Sequence, residues 1–325
     1  MKILIVGYFT ETSKSNIARH FPEEWDIVIV PPGKEMLHHI EDCQVIIPEH
    51  IKVDRSLLST AKKLKLVQTG AGFDNVDIDA CTQHGIWAAN AAGVNAQAVA
   101  EHVMALILSY YKNIPFLDAF MKNRMDVIQL DYTGSELKGK TIGIIGLGAI
   151  GKKVAEFCRV FDMNVLAYAR NTVVQSDGFV KMTDFDNLVS ASDIVSVHIP
   201  LNQQTKQLIN KAVFKKMKNT ALFINTARGR IVNERDLIDA LKNRDISGAC
   251  LDVFESEPLP TDSELRSLGN VILTPHTAGM PDGLKFHKKR YDFFVNNIKR
   301  VENGEEPESK LNQLFNMQYK GGKTK

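Results

Sequence analysis

Three polar side chains with different chemistry follow three strand-like segments in the second half of this 325-residue sequence. Arg228 follows residues 221–224, Glu257 follows residues 249–253, and His276 follows residues 271–273. Because the carboxyl ends of parallel strands meet at one edge of a sheet, we expect a cation, an acid and an imidazole to lie close together. A carboxylate raises the pKa of a neighbouring imidazole toward neutrality, and a guanidinium stabilises charge developing on an oxygen. Glu257 precedes Pro258, and we prefer it to Glu255 as that carboxylate.

A glycine-rich turn earlier in the chain joins a strand-like segment to a helix-like one. Residues 141–145 are apolar, Gly146-Leu147-Gly148-Ala149-Ile150-Gly151 follows, and residues 152–157 continue as a helix. This order is typical of a dinucleotide-binding turn. Gly146 permits the tight turn, Gly148 lets the backbone approach a pyrophosphate, and Gly151 lets helix and strand pack closely. The competing interpretation is an ordinary glycine-rich turn between a strand and a helix.

The next strand-like segment, residues 165–168, ends without the acid that usually binds the adenosine ribose. Ala169 stands in its place and Arg170 follows. There is then no carboxylate to repel a 2′-phosphate, and a guanidinium is available to bind one. The sequence therefore favours NADP as cofactor, with NAD possible because an exposed arginine at a strand end is common.

The elements that position these residues form two series of short apolar segments, which alternate with segments of helical period. The first series covers residues 3–6, 27–30, 45–47, 66–69 and 86–88, and the second covers 141–145, 165–168, 194–197, 221–224, 249–253 and 271–273. A helix over residues 96–111, with Asn95 as its N-cap and Pro115 beyond its end, links the two. An apolar helix near residues 286–298 is expected to return to the first series. The sequence thus predicts an α/β fold of two doubly wound parallel-sheet domains with a cleft between them, formed by residues 1–98 plus 282–325 and by residues 99–281.

Composition excludes several other classes of protein. There are 40 Lys and Arg residues against 38 Asp and Glu, a formal charge of +2, so neither nucleic acid nor a membrane surface is indicated as a partner. Residues 3–6 are too short for a signal-peptide core, and no apolar stretch is long enough to span a membrane. The four cysteines fit no metal spacing and are expected to be reduced core residues. We expect a cytoplasmic protein without a metal.

Seven segments, taken in chain order, resemble the D-isomer-specific 2-hydroxyacid dehydrogenase family, particularly its glyoxylate/hydroxypyruvate reductase-like members. They are residues 70–77 (Gly-Ala-Gly-Phe-Asp-Asn-Val-Asp), 90–101, 146–151, 197–201, 225–230, 251–258 and 275–279. The resemblance covers nearly the whole chain. It implies a flavodoxin-like substrate domain, a Rossmann nucleotide-binding domain and a homodimer, with residues 111–137 as a candidate dimer arm.

The resemblance also implies a reaction, which is hydride transfer between NAD(P)H and C2 of a small 2-keto acid or D-2-hydroxy acid. Arg228 would hold the substrate's carbonyl and carboxylate, His276 would be the acid/base, and Glu257 would orient His276. These roles suit the chemistry, because hydride arrival at C2 places negative charge on an oxygen that a cation stabilises and an imidazolium protonates. The implied cofactor-binding residues are Gly146, Gly148, Ala149, Ile150, Gly151, Arg170, Pro200, Ala227 and Asp252. The implied substrate-binding residues are Gly70, Ala71 and Gly72, through their backbone N–H groups.

Departures from the family pattern narrow the range of possible substrates. Family members that act on 3-phosphoglycerate tend to carry a basic residue after the third strand, where this chain has Pro48-Glu49-His50. Formate dehydrogenases of the superfamily replace the catalytic acid with an amide and carry a His-Ser pair, whereas this chain has Glu257 and Thr277. Both substrates are disfavoured. Glyoxylate, hydroxypyruvate and larger 2-keto acids stay open.

A binding protein without turnover is the alternative class. Transcriptional corepressors share this fold and use the dinucleotide as a switch, but they usually add disordered interaction tails. Here the fold uses almost the whole chain. Turnover with a 2-keto acid distinguishes the two classes.

Overall fold

The computed structural model describes residues 1–49, 51–123, 134–169, 178–279 and 284–314, with the backbone alone for residues 284–287. The chain divides into two compact units, Met1–Val94 with Asp282–Lys325, and Asn95–Pro281. The expected boundary at residue 98 falls inside a helix that begins at Ala96. Ala100, Val103 and Ile107 of that helix belong to a hydrophobic core of the second unit.

The first unit contains a five-stranded parallel sheet in the order β2-β1-β3-β4-β5. Its strands are β1 (Lys2–Val6), β2 (Asp26–Val30), β3 (Val45–Pro48), β4 (Leu66–Thr69) and β5 (Trp87–Asn90). Alternate residues of a strand point to opposite faces, so Ile3 and Ile5 enter one core while Leu4 and Val6 enter another. Burial of both faces explains why these strands are continuously apolar.

Helices cover both faces of this sheet. They are α1 (Glu11–Ala18), α2 (Lys34–Ile40), α3 (Arg55–Thr60), α4 (Ile78–Gln83) and α11 (Leu284–Glu302). Asp54 and Asp77 cap α3 and α4, because each carboxylate accepts a backbone N–H of the first turn. The helix expected near residues 286–298 is α11, and its Tyr291, Phe294 and Ile298 pack on the face that carries Ile3 and Ile5.

The second unit contains a seven-stranded parallel sheet in the order β12-β11-β10-β9-β6-β7-β8. Its strands are β6 (Thr141–Ile145), β7 (Asn164–Tyr168), β8 (Val180–Met182), β9 (Ile194–Val197), β10 (Leu222–Asn225), β11 (Gly248–Leu251) and β12 (Val271–Leu273). Strands on the two sides of β6 run in opposite sequence order, as in doubly wound dinucleotide-binding domains. The sequence did not predict β8, a three-residue edge strand that is only partly buried.

The structure describes six α-helices in the second unit. They are α5 (Ala96–Tyr111), α6 (Ile114–Lys122), α7 (Ala149–Val160), α8 (Phe185–Ala191), α9 (Lys211–Phe214) and α10 (Glu234–Lys242). The bounds of α5 are as predicted, but the Asn95 side chain makes no capping hydrogen bond. Pro115 lies in the first turn of a new helix, α6, where a missing N–H costs nothing, rather than in a loop beyond α5.

Three further properties concern membrane-spanning helices, metal-binding groups and the cysteines. Within the described part of the chain, no helix has the length and apolar character needed to cross a membrane. The same residues contain no group of three His, Cys, Asp or Glu side chains arranged to hold a metal ion. All four cysteines are free and buried, and burial raises the pKa of the Cys158 thiol to about 12.

Candidate functional site

The glycine turn lies where β6 passes into α7. Gly146 has a φ of +103°, in the region that favours glycine, and its N–H donates to the Tyr168 carbonyl at 2.8 Å. Gly148 is the N-cap of α7, and both Gly148 and Ala149 are exposed. The first N–H groups of a helix have no partners within it. The turn therefore presents unpaired donors at the carboxyl edge of the sheet.

The three glycines of the turn have different surroundings. A Cβ on Gly151 would lie 2.2 Å from the Gly146 carbonyl oxygen, and a Cβ on Gly146 would lie 2.6 Å from the His198 carbonyl oxygen. A Cβ on Gly148 would have no neighbour within 4 Å. Packing thus requires two of the glycines, whereas the third keeps space open beside the start of the helix. That combination fits a dinucleotide whose pyrophosphate approaches the backbone at Gly148.

A pair of alanine variants separates these roles. Gly151→Ala is expected to destabilise the fold by about 1–3 kcal/mol, because the added methyl overlaps a backbone oxygen. Gly148→Ala is expected to leave the melting temperature nearly unchanged and to weaken NAD(P)H binding about tenfold, since its methyl enters space that a pyrophosphate would use. Thermal unfolding and cofactor fluorescence titration measure the two effects. Normal cofactor affinity in Gly148→Ala would place the pyrophosphate elsewhere.

The other predicted cofactor residues lie around the same edge of the sheet. Ala169 directly follows β7 and is half-buried, while Arg170 lies outside the described residues. Ile150 packs against the core on one side of the sheet. Pro200 is exposed after β9, and its carbonyl accepts the Thr205 hydroxyl at 2.7 Å. Ala227 is half-buried after β10.

His276 and Glu257 are in direct contact. His276 Nδ1 lies 2.6 Å from Glu257 Oε2, and the backbone N–H of Phe254 donates to the other carboxylate oxygen at 3.0 Å. The carboxylate is thus held from both sides. Because Nδ1 is engaged, Nε2 is the ring nitrogen that can exchange a proton with a ligand.

Asp252 fixes the loop that carries His276. Its buried carboxylate accepts the Thr274 hydroxyl at 2.6 Å and the N–H groups of Thr277 and Ala278 at 2.9 and 3.0 Å. The Asp252 carbonyl accepts the His276 N–H at 2.8 Å. These bonds hold His276 at a φ of +53°, an uncommon conformation for a residue with a side chain. The Asp252 carboxylate therefore holds the loop of residues 274–278, which carries His276.

Arg228 lies in a turn that directly follows β10. The side chain of Asn225 closes the turn, because its Oδ1 accepts the Ala227 N–H at 3.0 Å and its Nδ2 donates to the Arg228 carbonyl at 2.9 Å. A Cβ on Gly229 would lie 1.9 Å from the Phe254 carbonyl. The turn is consequently packed against the segment that leads to Glu257.

Electrostatic interactions link these three residues. The hydrogen bond to Glu257 raises the pKa of His276, although burial and the Arg228 charge act in the opposite direction. Burial acts to raise the pKa of Glu257, but the hydrogen bonds from His276 and Phe254 and the charges of His276 and Arg228 outweigh it, so this pKa is lowered. The structure thus brings together the three residues predicted to be catalytic.

The predicted substrate loop belongs to the first unit and follows β4. The Gly70 carbonyl accepts the Ala91 N–H at 3.0 Å, and the Ala71 carbonyl accepts Nδ2 of Asn90 at 2.8 Å. Carbonyl groups of Gly70 and Ala71 are therefore used to tie the loop to the end of β5. Gly72 is half-buried.

Sequence reasoning missed two polar contacts. His102 Nε2, on α5, lies 3.1 Å from Thr274 Oγ1 and 3.7 Å from Asp252 Oδ1. In the first unit, Arg290 of α11 forms an ion pair with Glu49, which directly follows β3. The available signal for the second was a cation at an apolar position of a helix, since Arg290 precedes the buried Tyr291 and lies one turn before the buried Phe294.

The seven-stranded sheet and the glycine turn together define a dinucleotide-binding Rossmann domain. Residues 104–278 match the model of the D-isomer specific 2-hydroxyacid dehydrogenase, NAD binding domain. A glyoxylate reductase of Thermofilum pendens is 37% identical over 309 residues, covering 92% of this chain and 88% of the relative. The chain belongs to the D-isomer-specific 2-hydroxyacid dehydrogenase family.

Two further similarities differ in how much of the other protein is matched. A D-3-phosphoglycerate dehydrogenase of Archaeoglobus fulgidus is 42% identical over 238 residues, which are 72% of this chain but 45% of the relative. This chain thus spans about half of that enzyme. A solved NAD-dependent formate dehydrogenase of Staphylococcus aureus, in complex with NAD, has a TM-score of 0.85 and 30% identity, covering 97% of this chain and all of the other.

Proposed function

We propose that this protein transfers a hydride between NAD(P)H and C2 of a small 2-keto acid or D-2-hydroxy acid. The observation that carries the proposal is the 2.6 Å contact between His276 Nδ1 and Glu257 Oε2, with Arg228 close enough to act on the pKa of both. A corepressor-like sensor would need the glycine turn but not an acid–imidazole pair beside a guanidinium. The second unit is the proposed nucleotide-binding domain, and the first is the proposed substrate domain.

Each residue has a defined task in this proposal. When bound, the cofactor supplies or accepts the hydride, and the turn from Gly146 to Gly151 would hold its pyrophosphate beside Gly148. Arg228 binds the carbonyl oxygen and the carboxylate of a 2-keto acid, and its fork geometry suits two oxygens at once. As charge develops on the carbonyl oxygen, the guanidinium stabilises it and His276 delivers a proton from Nε2. Glu257 stabilises the imidazolium and fixes its orientation.

The contact between Glu257 and His276 predicts a pH dependence. Reduction needs protonated His276. The rate of reduction is therefore at its maximum below the raised pKa of His276, and it falls as the pH rises through that pKa. Glu257→Gln removes the charge that raises this pKa, so the rate of reduction is expected to fall at a lower pH than in wild type. Oxidation needs the neutral imidazole, and its onset moves to lower pH in the same variant. Profiles of kcat/KM in both directions measure the shift.

Glu255 provides the matched control for this variant. It is an exposed carboxylate two residues away, whose backbone N–H pairs with Glu234 at 3.0 Å. Glu255→Gln should leave both pH profiles in place. Identical profiles in wild type and Glu257→Gln would remove Glu257 from the proposed mechanism.

We further propose that NADP is the preferred cofactor, supported by Ala169 and Arg170 after β7. A charge-assisted hydrogen bond to the 2′-phosphate contributes to binding of NADPH and not of NADH. Arg170→Ala should therefore weaken NADPH binding about tenfold or more and leave NADH affinity nearly unchanged. Fluorescence titration with both cofactors measures this. Equal loss for both would show that Arg170 does not read the phosphate.

The substrate class and the reaction are tested together by one experiment. Purified protein is given NADPH or NADH with glyoxylate, hydroxypyruvate, pyruvate, and branched and aromatic 2-keto acids, and cofactor oxidation is followed by absorbance. We expect turnover with glyoxylate or hydroxypyruvate, and chiral analysis of the product should give the D-isomer. Cofactor binding without oxidation by any of these acids would favour the sensor.

The assembly proposed here is a cytoplasmic homodimer. In α6, Ile114, Phe116 and Met121 are each more than half exposed, and large apolar side chains left exposed together are typical of a surface covered by another copy. The candidate arm, residues 111–137, includes 124–133, which lie outside the described residues. Light scattering of the purified protein measures the mass.

A further inference from the structure

One polar side chain of the second unit lies beside the His276 loop (residues 274–278) and has no task in the proposed function. His102 Nε2, on α5, is 3.1 Å from the Thr274 hydroxyl and 3.7 Å from Oδ1 of Asp252. The His102 side chain is 23% exposed, and that of Asp252 is 1% exposed. A residue of α5, the residue after β11 and the residue after β12 thus meet at one buried carboxylate.

The hydrogen bonds of this group run in one direction. A carboxylate only accepts, so the Thr274 hydroxyl donates its single proton to Asp252 at 2.6 Å. The hydroxyl oxygen can then only accept from His102, and Nε2 is therefore a protonated nitrogen. Donation passes from His102 to Thr274 and from Thr274 to Asp252. Hydrogen bonds in such a chain polarise one another, and a buried environment strengthens them.

The helix that carries His102 is firmly attached to the sheet. Val103 and Ile107 of α5 are fully buried in a core of the second unit. Tyr110, near the end of the helix, has its hydroxyl 2.7 Å from Oγ of Ser247, which directly precedes β11. His102 is consequently a donor in a fixed position and not a mobile surface side chain.

The His276 loop needs such a fixed donor because its backbone is strained. His276 has a φ of +53°, and the Asp252 carboxylate stabilises this conformation by accepting two backbone N–H groups and the Thr274 hydroxyl. Of these three donors, only the hydroxyl belongs to a side chain that can rotate. The bond from His102 opposes that rotation. Without it, the loop keeps the two backbone bonds and is held less firmly.

We propose that His102 is a positioning residue, which acts through Thr274 and Asp252 to keep His276 in the orientation that contacts Glu257. His102 orders the hydroxyl, the hydroxyl and the carboxylate order the loop, and the loop presents the imidazole. The proposal rests on the proposed function, because it concerns the acid/base of the same reaction.

The pKa of His276 reports how firmly the loop is held. The hydrogen bond to Glu257 is the largest cause that raises this pKa, the Asp252 charge adds to it, and burial and the Arg228 charge oppose it. A loosened loop weakens all of these effects, so the pKa returns toward the value of an exposed imidazole. Because the net effect in wild type is a raised pKa, that return is a fall.

Replacement of His102 by leucine tests the proposal, because leucine removes the donor and keeps an apolar side chain on α5. His102→Leu should move the titration of His276 to lower pH and lower kcat about three- to tenfold, the effect of one hydrogen bond. The titration is followed by NMR of the imidazole ring protons, and His276→Asn identifies the signal. His38→Leu, the same replacement at an exposed histidine, should change neither quantity.

Glutamine distinguishes hydrogen bonding from packing. Its Nε2 can take the place of the imidazole Nε2, so His102→Gln should restore most of kcat and the wild-type titration of His276. Equal losses in His102→Gln and His102→Leu would show that residue 102 only packs α5 against the sheet, and the positioning role would be withdrawn. Unchanged titration and kcat in folded His102→Leu would overturn it as well.

Thr274→Val tests the middle of the chain and stays available if His102→Leu does not fold. It keeps the shape of residue 274 and removes the linking hydroxyl, so it should also move the His276 titration to lower pH. If His102 acts through Thr274, the double variant His102→Leu/Thr274→Val should lose no more activity than Thr274→Val alone. Losses that multiply in the double variant, or an unchanged titration in Thr274→Val, would overturn the proposed chain.

The NMR titration also separates this proposal from the proposed function, because it needs no turnover. A shifted His276 titration in His102→Leu, without turnover of any 2-keto acid by wild type, would support the hold on the loop and reject the reaction. Turnover by wild type, with an unchanged titration and kcat in His102→Leu, would support the reaction and reject the positioning role.

Discussion

Removal of the His276 imidazole is expected to lower kcat by about 10²- to 10⁴-fold, the contribution typical of a positioned acid/base, while cofactor affinity stays nearly unchanged. The side chain is half exposed, at 49%, and its Nδ1 is held by Glu257, so Nε2 is presented for proton exchange. The glycine turn that would hold the cofactor lies in a different loop. The loss should therefore appear in turnover and not in the fluorescence titration.

Two replacements separate chemistry from backbone strain. Residue 276 has a φ of +53°, which asparagine adopts more readily than alanine. His276→Asn should therefore keep the loop held by Asp252 but cannot supply a proton near neutral pH, whereas His276→Ala also strains the loop. Similar loss of kcat in both variants identifies the imidazole as the cause. Wild-type turnover in His276→Asn would remove His276 from the mechanism, and the exposed His38→Ala serves as the control.

The sequence was sufficient to predict the architecture because apolar segments of strand length are specific when both faces of a sheet are buried. Each predicted strand is present, and its bounds differ from the predicted ones by at most two residues. The missed β8 (Val180–Met182) is short and partly exposed, and such an edge strand lacks the continuous apolar pattern. Pro115 was misinterpreted because proline both ends a helix and begins one, and only the three-dimensional context distinguishes the two.

The sequence indicates proximity for residues that follow neighbouring strands, but not for a contact that joins distant elements. Arg228, Glu257 and His276 follow neighbouring strands β10, β11 and β12, so topology alone brings them together. The structure also distinguishes Glu257, which contacts His276, from Glu255. Glu49 and Arg290 are 241 residues apart, and no local pattern indicates that a return of α11 to the first unit would pair them.

Arg228 is the second residue whose loss should be severe, because in the proposed mechanism it both binds the carboxylate and stabilises the charge that develops on the carbonyl oxygen. Arg228→Gln is expected to lower kcat by about 10²- to 10³-fold, as for loss of a preorganised donor to a developing oxyanion, and to raise KM as well. Arg228→Lys keeps the positive charge but not the two-pronged geometry, so part of kcat should return while KM stays high.

Arg230 is the matched control, since it is an exposed arginine in the same turn. Arg230→Gln removes the same charge two residues away and should leave kcat and KM nearly unchanged. Arg228 also lowers the pKa of His276, so Arg228→Gln should move the fall in reduction rate to higher pH, opposite to the shift in Glu257→Gln. If Arg228 had only a structural role, Arg228→Gln would lower activity without shifting the pH profile of reduction. Equal effects of Arg228→Gln and Arg230→Gln would show that the turn contributes general charge, and the assignment of Arg228 to the substrate would be withdrawn.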